Sequence, residues 1–329
     1  MQTVKIILYQ RMANLTIVTG FLLKDFSDIW ELQILHAMLF LLIYLVTLIG
    51  NFLIFTIISL ERKLHTPMYF FLKNLSFLDL CLISITVPKS IANSLSHNCS
   101  ISFLGCVSQL FLMILFAITE LFLLTAMSYD RYVAICQPLN YEVIMNSETC
   151  VKMAATSWLS GVLFGVLYSA SIFTLPFCHS KEIHQFFCDV PSLLRISCSD
   201  SHLAVDVTIS LAFSLAVLSS IYIIISYSYI FSTVLKIPTT EGRSKAFSTC
   251  LPHLIVLIVF VTTGSISYLK PSQDSDSVLE LLLAMFYTVV PPTLNPVIYS
   301  LKNKDMKTAL RKFITWKYFS KGLILKSFP

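Results

Sequence analysis

Seven stretches of this chain, near residues 35–60, 69–92, 101–134, 153–175, 203–231, 247–269 and 278–301, are almost unbroken runs of apolar residues. A bilayer-spanning helix needs about 20 such residues. Lipid offers the backbone no hydrogen-bond partner, so each span must satisfy its own amides as a helix. The chain is 56% hydrophobic and only 12% charged, against roughly 25% charged in a soluble domain. A soluble protein of this length could not hide so much apolar surface. The expected fold is an all-α membrane protein, a seven-transmembrane helix bundle over 35–301, with a tail over 1–34 before it and a tail over 302–329 after it. The fourth run is the most polar, with Thr156, Ser157, Ser160, Gly161 and Gly165, but small residues let helices approach closely in lipid.

Basic residues orient the bundle. With the N-terminus outside, seven of the 23 Lys and Arg face out, namely Lys5, Arg11, Lys24, Lys89, Lys181, Arg195 and Lys270. The rest lie in cytoplasmic segments, and the positive-inside rule selects that arrangement: a multi-pass plasma-membrane protein, N-terminus extracellular and C-terminus cytoplasmic. It also puts Cys99, Cys106, Cys178, Cys188 and Cys198 on the oxidising side, where disulfides persist. Asn14-Leu15-Thr16 is then a glycosylation sequon in the outer tail. Asn74-Leu75-Ser76 also matches but falls inside a span. The net charge of +5 is too small to imply a nucleic-acid partner.

Polar groups inside the spans are few. Asp79 and Glu120 each lie about ten residues from the inner end of a span, roughly 15 Å deep at 1.5 Å per residue. Asn51 and Asn295 fall at a similar depth. Buried carboxylates must pair, bind a cation or take up a proton. A shared sodium ion at Asp79 and Glu120 is therefore the candidate bound group, with no other cofactor expected. The alternative is a structural hydrogen-bond layer. Asp130-Arg131-Tyr132 closes the third span at the membrane surface, where a charged pair costs far less than at mid-bilayer.

The loop over 177–202 carries Cys178, Cys188 and Cys198, and Cys106 tops the third span. Stapling the loop there would fold it over the bundle mouth as a lid, although sequence alone allows several pairings. The seventh span contains Pro291, Pro292 and Asn295-Pro296-Val297-Ile298-Tyr299, and prolines kink a helix and free its carbonyls. Beyond it, Met306, Ala309, Leu310, Phe313 and Ile314 share one face and Lys304, Lys307, Arg311 and Lys312 the other. This pattern predicts a short amphipathic helix 8 on the inner leaflet.

Together, the seven spans, Asp130-Arg131-Tyr132 and Asn295–Tyr299 resemble the rhodopsin-like G protein-coupled receptors. The stretches 67–72, 127–136, 226–230, 245–250 and 296–305, with the triple-cysteine loop, narrow the resemblance to the olfactory receptors. The tail from Met12-Ala13-Asn14 is similar to the family 14 branch. The resemblance implies a Cys106–Cys188 disulfide and a second between Cys178 and Cys198. It implies that Asp130 restrains Arg131 beside Tyr132 in the resting state, and that Tyr227 and Tyr299, with Asn295 and Pro296, rearrange around Arg131 on activation. Asp79 and Glu120 fall on the family's sodium positions. The implied ligand is a small odorant and the implied partner a heterotrimeric olfactory-type stimulatory G protein that raises cyclic AMP.

The implied pocket is walled by Met113, Ile114, Ala117 and Ile118, with Leu211 and Leu215 opposite. Ser265, Tyr268, Met285 and Thr288 are the groups able to orient a ligand. No carboxylate lies between Gln109 and Thr119, so a cationic amine would find no counter-ion and a mostly apolar volatile suits the wall. The chain departs from the family at Phe260-Val261-Thr262-Thr263, where Phe-Tyr-Gly-Thr is usual, at the additional Cys99, and at Lys302, usually arginine. Competing readings are a non-olfactory receptor for an endogenous lipid-like ligand, a poorly functional receptor, and a transporter or ion channel using Asp79 and Glu120 as a relay. No internal repeat supports the last, and no nucleophile–base pair suggests an enzyme.

Overall fold

The computed structural model describes residues 19–24, 29–96, 99–177, 181–199, 202–269, 278–302 and 305–313. Seven long helices carry them: α1 (Trp30–Leu60), α2 (Pro67–Ser96), α3 (Phe103–Cys136), α4 (Ser147–Phe173), α5 (Leu203–Leu235), α6 (Thr240–Leu269) and α7 (Val278–Lys302). A further helix, α8, covers residues 305–313. By length and composition α1 to α5 can each cross a membrane, while the shorter apolar stretch of α6 among the described residues is Cys250–Thr262.

Three of the helices begin where the sequence supplies a start signal. The side chains of Ser102 and Asn146 cap α3 and α4, accepting from the Gly105 and Thr149 N–H at 3.1 and 2.8 Å. Such caps satisfy amides that lack an intrahelical acceptor. Pro67 opens α2, where its missing N–H costs nothing. The fourth helix starts six residues before the run expected from hydropathy, because its first turn, Ser147-Glu148-Thr149, is polar.

Within the bundle α3 is central, packing on α2, α4, α5 and α6, while α7 closes the ring against α1, α2 and α6. The α3–α4 contact is tight. A Cβ on Gly161 would collide with the Thr119 hydroxyl and lie 2.5 Å from the Leu115 carbonyl oxygen, and one on Gly165 would lie 3.0 Å from the Phe111 ring. The polar appearance of the fourth run thus reflects close helix packing. Asn74 lies inside α2 and accepts a hydrogen bond from Trp158 Nε1 of α4 at 3.2 Å.

One element adds to the all-helical expectation. Strand β1 (Gly20–Leu23) lies between β2 (Ser100–Ser102), antiparallel, and β3 (Glu182–Ile183), parallel. The N-terminal segment is thereby woven into the loop that precedes α3 and the loop that follows α4. Phe21 is 1% exposed and meets Phe103 and Phe177 at ring separations of 6.2 and 5.5 Å. Cys99 joins this layer through its carbonyl, which accepts from the Leu23 N–H at 2.8 Å.

Candidate functional site

Three groups of side chains occupy the bundle at different depths. The deepest contains Asn51, Asp79, Glu120 and Asn295, all buried. Asn295 Nδ2 donates to both Asp79 oxygens, at 3.2 and 3.0 Å, and joins α7 to α2. Pro296 has no N–H, so the Pro292 carbonyl four residues earlier loses its helical donor. Asn51 Nδ2 of α1 takes that place at 2.9 Å. The helix-seven motif is therefore held by side chains from two neighbouring helices. Among the described residues Glu120 Oε1, Asn51 Oδ1 and the Tyr299 hydroxyl are buried without hydrogen-bond partners. Two of these are acceptors at the level of a buried carboxylate, which fits a cation there, although no cluster of three acidic, His or Cys side chains surrounds it among those residues.

The second group lies at the end opposite the sheet. Arg131 Nε donates to Asp130 Oδ2 at 2.9 Å and the guanidinium closes an ion pair with the same carboxylate. Asp130 Oδ1 accepts from the Tyr141 hydroxyl at 2.7 Å. Tyr141 belongs to a one-turn helix, Tyr141–Ile144. Burial first, then the Asp130 carboxylate, push its phenol above the ordinary range, so it stays a donor at neutral pH. Tyr132 stacks on Tyr129 and meets Tyr229 of α5 edge-on. Tyr299 is 1% exposed within the core beside α2 and α3.

His253, which was not singled out from the sequence, ties three helices at this end. Its Nε2 lies 3.0 Å from the Leu124 carbonyl of α3, and its Nδ1 lies 2.6 Å from the Tyr227 hydroxyl of α5. A carbonyl can only accept, so Nε2 carries the proton; in the neutral ring Nδ1 then accepts from Tyr227. The available signal was a lone imidazole after Pro252, opening the apolar stretch of α6; in the structure it is 2% exposed.

The third group lies towards the sheet end. Met113 and Met285 pack against one cluster that contains Phe186 and Phe187 of the loop after α4, together with Phe40, Ile83 and Val87. Ile114, Ile118 and Leu215 share a second cluster with Cys106 and Cys188. Ala117 is half-buried on α3, and Thr288 is buried with its hydroxyl donating to the Ala284 carbonyl at 2.8 Å. The structure corrects one wall residue. Leu211 is 48% exposed on the outer face of α5, because the inward face runs through Val205, Thr208, Ala212 and Ser219. The side chains of Ser265 and Tyr268 lie outside the described residues, as does Asn14. Val261, the departure on α6, is 38% exposed.

The lid is fixed to this group. Cys106 and Cys188 form a disulfide with Cα atoms 5.6 Å apart. Gln109 Oε1 accepts from the Cys188 N–H at 2.9 Å while its Nε2 donates to the Ile85 carbonyl at 2.8 Å, near Pro88 within α2. Cys198 is also disulfide-bonded; Cys178, its expected partner, lies outside the described residues. Asp189 caps the short helix Val190–Arg195 by accepting from the Ser192 N–H at 3.1 Å. Burial pushes its carboxyl up to about 6, partly offset by the Ser192 hydrogen bonds and the Arg195 charge.

The olfactory receptor family model matches residues 40–317. Human olfactory receptor 14A2 is 60% identical over 307 residues, covering 93% of this chain and 98% of that protein. Human olfactory receptor 14A16 is 57% identical over 310 residues, covering 94% and 100%. Squid rhodopsin superposes with a TM-score of 0.67 at 17% identity, over 88% of this chain and 87% of its own, a likeness of fold.

Proposed function

The chain belongs to the olfactory receptor family, in its family 14 branch, and on that premise we propose that it senses small, mostly apolar odorants and activates a stimulatory olfactory-type G protein, raising cyclic AMP. It is a receptor and not an enzyme, with a multi-pass bundle set in the plasma membrane. The observation that carries the odorant reading is the roofed apolar wall. Met113 and Met285 pack against the cluster of the lid residues Phe186 and Phe187, with Ile114, Ile118 and Leu215 in the adjoining cluster, and no carboxylate lies between Gln109 and Thr119. Uncharged groups of this kind stabilise a neutral guest by burial and leave a cation without a counter-ion.

The sheet end is extracellular and α8 lies on the cytoplasmic leaflet. The disulfide-bonded Cys106, Cys188 and Cys198 at one end and the exposed Lys307, Arg311 and Lys312 at the other support that orientation. The Asp130–Arg131–Tyr141 contacts hold the resting state. An odorant that binds the rearranged bundle more tightly shifts the population towards it, releasing Arg131 to the G protein while Tyr227, Tyr299 and the Asn295-Pro296 turn repack. A sodium ion at Asp79, Glu120 and Asn51 belongs to the resting state, supported by the orphaned Glu120 and Asn51 oxygens.

The test is a cyclic AMP assay with surface display measured in the same cells, supplied with the olfactory G protein and exposed to matched neutral and amine volatiles. Dose-dependent responses confined to neutral compounds are expected. Amines of equal potency, or full agonist response from Arg131→Ala, would overturn the reading. For the ion, Asp79→Asn and Glu120→Gln should each abolish the sodium sensitivity of the response; retained sensitivity contradicts the site.

A further inference from the structure

Beside the end of the bundle opposite the sheet, α1, α7 and α8 enclose a crevice of about 270 Å³. Gly50 and Ile57 of α1, Pro296 and Val297 of α7, and Met306 and Leu310 of α8 line it. Beside it, α1 and α7 come together at a glycine. A Cβ on Gly50 would lie 3.0 Å from the Pro296 ring, so the helices approach closely there. The crevice opens on the outer surface of the bundle, where Val46 and Val297 at its rim are 49% and 43% exposed. Thr293, the polar lining residue, donates its hydroxyl to the Val289 carbonyl at 2.7 Å and meets the Thr47 hydroxyl at 2.8 Å. The interior therefore offers burial alone.

Basic residues flank it on α8. Met306 and Leu310 line the crevice, and the exposed Lys307 and Arg311 each follow one of them by a single residue, about 100° round the helix. Lys312 Nζ lies 4.0 Å from Glu61 Oε2 at the end of α1. An apolar slot that faces lipid, with cations where headgroups lie, matches an anionic phospholipid in both parts. The volume lies below the roughly 300–1,000 Å³ of drug-sized clefts, which suits a flexible chain rather than a rigid ring system. Cationic side chains at this level attract anionic headgroups.

We propose that the crevice between α1, α7 and α8 binds one acyl chain of an anionic phospholipid whose phosphate rests on the basic face of α8. The leaflet it comes from rests on the orientation proposed above; the binding itself does not. The experiment is native mass spectrometry of the full chain in detergent, with phosphatidylserine and phosphatidylcholine of identical acyl chains added in equal amounts. The intact receptor should retain phosphatidylserine several-fold over phosphatidylcholine. Val46→Trp with Val297→Trp, at the exposed rim, should reduce retention of both lipids at an unchanged melting temperature. Lys307→Gln with Arg311→Gln should remove the preference and leave basal retention. Equal retention of the two lipids by the unaltered receptor overturns the proposal, as does undiminished phosphatidylserine retention by folded rim variants. Glycosylation of Asn14 in cells reads the orientation separately, so failure there moves the leaflet and leaves the site.

Discussion

At the sheet end, three strands, the Cys106–Cys188 disulfide, the Gln109 bridge and the rings of Phe21, Phe103 and Phe177 all hold the same few loops. At the opposite end the polar ties are single contacts: Asp130 holds Arg131 of its own helix and Tyr141 of the turn after it, and His253 of α6 meets Tyr227 of α5 and Leu124 of α3 beside an apolar cluster. Covalent and sheet-like ties that overlap make one arrangement far more stable than any other. Single hydrogen bonds, each contributing about 0.5–1.5 kcal/mol net, can be exchanged for others at little cost. A lid that keeps its shape and an inner face that repacks are what a membrane receptor needs at its two ends.

The largest effect should come from cutting the covalent tie. Cys106→Ser should cost about 2–5 kcal/mol and appear as loss of surface display and a lower melting temperature. Next is the imidazole tie. His253→Phe leaves the Tyr227 hydroxyl and Leu124 carbonyl without their partner, a cost of about 1–3 kcal/mol in thermal unfolding. With Tyr227→Phe added, the combined loss should fall short of the sum, because both changes remove one bond; strict additivity would show that the bond carries no weight.

Smaller again is Tyr141→Phe. It removes one of the partners of Asp130 and should raise agonist-independent cyclic AMP modestly, about two- to fivefold for roughly 0.5–1 kcal/mol, with display unchanged. A pH-dependent effect concerns the lid. Asp189 is an acid whose folded value, about 6, stands above its ordinary 3.8. It therefore binds its proton more tightly when folded. Its contribution to stability is fully present below about 4 and is lost as pH rises through about 6. Melting temperatures should decline across that window, and Asp189→Asn, which keeps the cap, should flatten the decline.

The spans were legible because apolar windows of helical length have few other uses, and counting residues at 1.5 Å each placed Asn51, Asp79, Glu120 and Asn295 at one level. Depth along a helix follows from counting, but the direction of a side chain does not. Leu211 shows this: one residue from the inward Ala212, it turns about 100° away and faces out. The strands were not legible. They are four, three and two residues long, and their partners lie far apart in sequence, so no alternating pattern could build up. His253 escaped notice because its role depends on two acceptor and donor atoms carried by other helices. The Asn51–Pro292 bond could have been anticipated, since any proline frees the carbonyl four residues before it, yet nothing in the sequence says which side chain fills the vacancy.

The division of labour between the two ends is tested most directly by plotting basal cyclic AMP against surface display for Asp130→Asn and Cys106→Ser beside the unaltered receptor. Asp130→Asn should keep its display and raise basal signalling, since the Arg131 restraint is gone and the lid is intact. Cys106→Ser should lose display with no rise in signal per displayed receptor. If Asp130→Asn loses display as Cys106→Ser does, or signals at the basal level of the unaltered receptor, the two ends do not divide the work as their contacts suggest.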